Sequence, residues 1–105
     1  MSNYLDDYQK WSRTTAIYPK DQAINYLALG LAPESGEVAG KIKKAIRDGT
    51  FNRADIISEL SDIAWYLARL SDELEVPLLT VFDTNFHKLE DRKARGVLGG
   101  SGDKR

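Results

Sequence analysis

The sequence predicts an all-α protein, and three observations carry that expectation. Apolar residues recur at alternating steps of three and four along most of the chain, which lays a single stripe along a helix. No stretch alternates apolar and polar residues for long enough to make a half-buried strand. Pro19, Gly49 and Pro77 fall between the periodic stretches, where proline and glycine act as breaks.

Four helices follow in order. The first covers residues 3–14, with Ser2 or Asn3 as its cap, and Ile17, Tyr18, Pro19 and Lys20 turn the chain after it. The second covers residues 21–46, with an apolar stripe of Ile24, Leu27, Leu31, Val38, Ile42 and Ala45. Pro33 lies inside it, removes one backbone hydrogen bond and favours a kink. The third covers residues 53–74. Its stripe is Ile56, Leu60, Ile63, Leu67, Leu70 and Leu74, spaced 4, 3, 4, 3, 4, as in a bundle helix. The fourth covers residues 78–94, with Leu79, Phe82, Phe86 and Leu89 on one side. Residues 96–105 contain Gly96, Gly99, Gly100 and Gly102 and are expected as a flexible tail. Residues 1–95 thus form one domain, a four-helix-bundle-like fold of antiparallel helices, with no internal repeat.

Composition narrows the function. A chain of 105 residues supports one domain with a modest core, so help from a second copy is expected. Fifteen Lys and Arg face sixteen Asp and Glu, for a net charge of -1, which argues against a whole-protein grip on nucleic acid. The chain has no cysteine and one histidine, which excludes thiol nucleophiles, thiolate zinc sites, iron–sulfur clusters and poly-histidine metal sites. No run of about 18 apolar residues marks a membrane span. The first ten residues, with Asp6 and Asp7, do not resemble a signal peptide. A cytoplasmic protein without nucleic-acid or membrane partners is expected.

The carboxylates are the most informative residues. Glu34 and Glu37 lie on the second helix, Glu59 and Asp62 on the third, each pair three apart and therefore on one helical face. Both pairs sit roughly 80–140° to the same rotational side of their apolar stripes at 100° per residue. A short connection makes these helices antiparallel neighbours, so equal offsets bring the four acids to one seam. Carboxylates about 5 Å apart repel strongly, and something positive must offset them. A hard divalent cation with oxygen ligands, Mg²⁺ or Mn²⁺, fits. Lys41 on the same flank could instead supply the charge and leave the acids as a solvated face. A di-iron bundle needs Glu-x-x-His on two helices, but Thr84 stands three residues before His87.

Asn85, Lys88 and Arg92 form a polar row on the fourth helix. The row suits phosphate oxygens or, more plainly, the negative end of the helix dipole. Trp65 lies nearly opposite the third helix's stripe, among Ser58, Ser61 and Ala68, and is expected outward, at a subunit contact. A non-catalytic oligomeric helical interaction module using that face is the alternative function. Tyr8 and Trp11 are expected to pack on the bundle, with base stacking as the second possibility.

Taken in order, these motifs resemble one family. Glu34-x-x-Glu37, a spacer of 21 residues, and Glu59-x-x-Asp62 are similar to the acidic signature of the MazG-like nucleoside triphosphate pyrophosphohydrolases. Asn85-x-x-Lys88-Leu89-x-x-Arg92 resembles their C-terminal motif, Lys43-Lys44 a basic pair common after the first acidic motif, and residues 95–103 the ending of small single-domain members, phage ones included. The resemblance covers residues 8–105. It implies an all-α homo-oligomer, a dimer or dimer of dimers with sites near subunit interfaces. It implies Mg²⁺ held by Glu34, Glu37, Glu59 and Asp62. It also implies cleavage of a nucleoside triphosphate between its α and β phosphates. The chemistry would be metal-assisted water attack, with Glu34 or Glu37 taking the proton. Lys88 and Arg92 would hold the β and γ phosphates, with Asn85 as a polar anchor and Lys41 as a further substrate contact, while Tyr66 meets sugar or base. One departure stands out: many members carry another Glu where this chain has Pro33.

Overall fold

Asn3 opens the first helix of the computed structural model, which describes residues 3–105. Its side chain accepts the backbone N–H of Asp6 at 3.0 Å, satisfying one of the unpaired donors of a helix start. Ser2, the other expected cap, lies outside the described residues. Helix α1 (Tyr4–Ser12) passes into a short 3₁₀ turn (Arg13–Thr15). Pro19 then holds an extended backbone before a second 3₁₀ turn (Lys20–Gln22). Helix α2 (Ala23–Asp48) runs unbroken through Pro33. Gly49 ends it at φ 72°, the left-handed conformation that favours glycine, and its N–H closes on the Ala45 carbonyl. Asn52 caps α3 (Arg53–Glu73) through the N–H of Asp55. Helix α4 (Leu78–Ala94) has the bounds the periodicity predicts.

Helices α2 and α3, joined by residues 49–52, pair along their length as a hairpin, and α1 and α4 pack on α3 and on each other. The core lies where residues 16–23 cross the hairpin. Tyr18, Ala23 and Leu27 are buried there, packed by Ala16, Trp65, Tyr66 and Leu70. Tyr18 stacks on Tyr26 with ring centroids 5.4 Å apart and meets Trp65 edge-on at 6.4 Å.

This arrangement corrects the expected position of Trp65. Its indole Nε1 donates to Thr15 Oγ1 at 2.7 Å, its ring meets Tyr66 edge-on, and Ala68 one turn on is fully buried. On this side of α3 Trp65 meets the chain's own irregular segment, at Thr15 and Tyr18. A helical wheel cannot register a cover that is itself not helical. Part of the predicted stripe is left open in exchange, with Leu60 and Leu74 exposed.

Polar side chains knit the ends together. Arg69, 2% exposed, donates to the Tyr18 hydroxyl, Ser12 Oγ, Asp72 and Glu73. Arg13 grips Asp72 from the other side at 2.8–3.1 Å. Arg13 first, then Arg69, hold the Asp72 carboxyl below the usual carboxylate range, against the effect of its burial. Gln9, also buried, donates to the Val76 carbonyl at 2.9 Å and accepts the N–H of Leu78 at 2.6 Å. Asp6 accepts the N–H of Leu79. The residue before α4 is Pro77, whose side chain makes no capping bond. Helix α1 therefore caps α4 across the fold.

The four helices do not close around one continuous core within a single chain. The radius of gyration is 16.6 Å, against about 13 Å for a compact domain of this length. Leu29, Ile46 and Phe86 are more than half exposed. Residues 96–105 carry no helix; Asp103 meets Lys88 and Arg92 of α4, and Arg105 donates to the tail's own carbonyls at Val97, Leu98, Gly99 and Gly102. Among the described residues, no helix is long and apolar enough to cross a membrane.

Replacing Gln9 by Ala removes the acceptor for Leu78 N–H and the donor to the Val76 carbonyl. The variant is expected to lose about 1–3 kcal/mol of stability, read as a lower urea midpoint at unchanged slope.

Candidate metal and nucleotide site

The hairpin brings the predicted acids together. Glu34 on α2 and Glu59 and Asp62 on α3 each place a carboxylate oxygen within 4.8 Å of the others. Glu37, one turn after Glu34, is within hydrogen-bonding reach of Glu59. Glu34 and Glu59 are half-buried, whereas Glu37 and Asp62 are exposed. The spacing of three on each helix and the antiparallel pairing account for the convergence.

The electrostatics follow from that crowding. Burial pushes the Glu34 carboxyl up, and the charges of Glu37 and Asp62 add to it. Glu59 is pushed up to about 6, first by the hydrogen bond it shares with Glu37, then by burial and by the charges of Glu37 and Glu34; Lys41 pulls the other way. Oε2 of Glu34 and Oε2 of Glu59 are shut off from solvent, and neither has a hydrogen-bond partner. Buried carboxylate oxygens without donors are costly. An all-oxygen set containing two such atoms fits a hard divalent cation.

Tyr66 lies one turn beyond Asp62 and rests on Gly30 of the facing helix. A Cβ built at Gly30 would stand 2.4 Å from the Tyr66 hydroxyl oxygen and 2.5 Å from a ring carbon, so only glycine allows this approach. Burial, followed by the charge of Glu34, pushes the Tyr66 phenol up. Tyr8 of α1 lines an apolar groove with Ser61, Ala64 and Leu67 of α3; burial, then Tyr4, then Asp62 raise its phenol. Its ring lies 5.7 Å from that of Trp11. A cleft of about 460 Å³ runs from Glu37 and Glu59 over Gly36 and Gly40 to Lys41 and Lys44. Lys41 thus sits at the site, 4.0 Å from Asp55.

The polar row of α4 lies elsewhere. Among the described residues, Lys88 and Arg92 pair with Asp103 and not with the acids. Asn85 lines a separate shallow groove with Val76 and Thr80. The pattern of acids and Tyr66 is visible in the sequence. Gly30 carries one legible signal, a glycine inside a predicted helix.

Comparison with known proteins shows which family the chain resembles. The model of the MazG nucleotide pyrophosphohydrolase domain matches residues 22–97. The "Gene 37 protein" of Mycobacterium phage L5 is 43% identical over 113 aligned residues, covering 97% of this chain and 99% of that protein. No solved structure matches the chain.

Two outcomes are expected from the crowding. Glu59 titrates near 6 when folded, above its ordinary 4.5. Its charge therefore weighs against folding above pH 6 and is relieved as pH falls toward 4.5. Glu59→Gln should raise the Tm of the metal-free protein at pH 7, read by thermal melts. The second outcome concerns glycine. Gly36 has open space where its Cβ would stand, so Gly36→Ala should stabilise by about 0.5–1 kcal/mol. Gly30→Ala should lower Tm despite the same gain in helix propensity, because it displaces Tyr66.

Proposed function

Because the chain belongs to the MazG nucleotide pyrophosphohydrolase family, we propose that it hydrolyses nucleoside triphosphates to the monophosphate and pyrophosphate with the help of a divalent metal. The observation that carries this reading is the carboxylate cluster with two buried, donor-less oxygens. Glu34, Glu37, Glu59 and Asp62 would hold Mg²⁺, with Mn²⁺ as a substitute. Bound there, the metal supplies Lewis acidity, neutralises phosphate charge and acidifies water.

The protein's own residues do the rest. Glu34 or Glu37, the latter exposed beside Glu59, would accept the proton of the attacking water. Tyr66, packed on Gly30 next to the acids, contacts sugar or base. Lys41, at the far end of the acidic cleft, offsets phosphate charge. Asn85, Lys88 and Arg92 are assigned to the phosphates as well. The assignment asks for an assembly, because they stand apart from the acids within one chain. The exposed apolar residues Leu29, Ile46 and Phe86 support a homo-oligomer, a dimer or tetramer with sites near its interfaces. The enzyme would act on free nucleotides in the cytoplasm. The interaction-module reading loses its basis, since the Trp65 face is taken by Thr15 and Tyr18.

The test is product analysis on ribo- and deoxyribonucleoside triphosphates, with Mg²⁺ and with excess chelator. Monophosphate and pyrophosphate are expected with Mg²⁺ only, and Glu37→Ala or Asp62→Ala should abolish turnover while helix content stays unchanged by circular dichroism. Diphosphate with orthophosphate would overturn the cleavage position. Turnover that survives chelator or both substitutions would overturn the metal cluster.

A further inference from the structure

Asp103 occupies the cation pair that the phosphates are assigned to. Its carboxylate oxygens lie 3.0 and 3.3 Å from Lys88 Nζ, and Oδ1 lies 3.1 Å from Arg92. Arg92 also donates to the Asp103 backbone carbonyl. Arg92 is buried beneath this contact, while the Asp103 side chain is 75% exposed. The loop that delivers the carboxylate is folded on itself. The Arg105 guanidinium gathers four tail carbonyls, and Arg95 holds the carbonyl of Arg105. Gly100 and Gly102 turn the loop at φ 96° and 89°, in the region that favours glycine.

A carboxylate across an Arg and a Lys uses the same charge-assisted bonds as a phosphate. An exposed ion pair is weak and easily exchanged. Held by a short tether, Asp103 nonetheless competes at an effective concentration on the order of millimolar. We propose that Asp103 is an internal competitor for polyphosphate: it occupies Lys88 and Arg92 at rest and must leave before a triphosphate binds them. The inference rests on the assignment of Lys88 and Arg92 to the phosphates, and it adds a gate to that site. Lys88 and Arg92 together hold the Asp103 carboxyl below the usual range, so the competitor stays charged at neutral pH.

Inorganic tripolyphosphate in excess chelator tests this without the metal centre or turnover, so its failure is distinct from failure of the catalytic reading. Calorimetry should show Asp103→Asn binding it roughly tenfold tighter than the parent, and Lys88→Gln binding it more weakly. Equal, weaker or no binding by Asp103→Asn, or unchanged binding by Lys88→Gln, would overturn the proposal. Should Asp103→Asn not fold, amide hydrogen exchange on the parent decides alone. Saturating tripolyphosphate should speed exchange at residues 99–104, and unchanged or slower exchange there would overturn it.

Discussion

Four carboxylates forced together between two antiparallel helices are the constraint around which this chain is built. Their mutual repulsion acts against the hairpin that creates it, and burial of Glu34 and Glu59 raises the cost. A metal-free hairpin of this kind needs fastening elsewhere. At the C-terminal end of α3, Arg69 bonds Ser12 of α1, Tyr18 of the segment before α2, and Asp72 and Glu73 of its own helix. Attraction at one end of α3 thus offsets repulsion in its middle.

That division of labour explains the uneven packing. The buried core is small and lies beside the Arg69 network, formed by residues 16–27 against Trp65, Tyr66 and Leu70. Farther along the hairpin Ile42 and Ile46 are exposed. Helix α4 depends on α1 for its first backbone donors, through Gln9 and Asp6. Losing α1 would therefore leave the first backbone donors of α4 without these acceptors.

The site inherits its precision from this scaffold. Tyr66 is pinned between Trp65, whose indole is tied to Thr15, and Gly30 on the facing helix. The same ring stands beside Glu34, so the core and the acidic cluster share a wall. The cation pair of α4 is already satisfied by the tail, which makes its availability a question of competition and not of folding.

The acids, Tyr66 and the four helices were legible in the sequence because they depend on local periodicity. Spacings of three and four set one face of each helix, and a short connection set the antiparallel pairing, so Glu34, Glu59 and Asp62 had to converge. The contacts of Trp65 with Thr15 and Tyr18 come from an irregular segment that no periodicity announces. Arg69 gave no signal either, since a buried arginine is recognisable only when its partners from distant segments are in place. The pairing of Asp103 with Lys88 and Arg92 likewise rests on a chain reversal through left-handed glycines. By itself the sequence determined which residues share a helix face. Only the tertiary structure decided which faces are covered, and by what, because long-range contacts are made by segments whose order along the chain says nothing of their place in space.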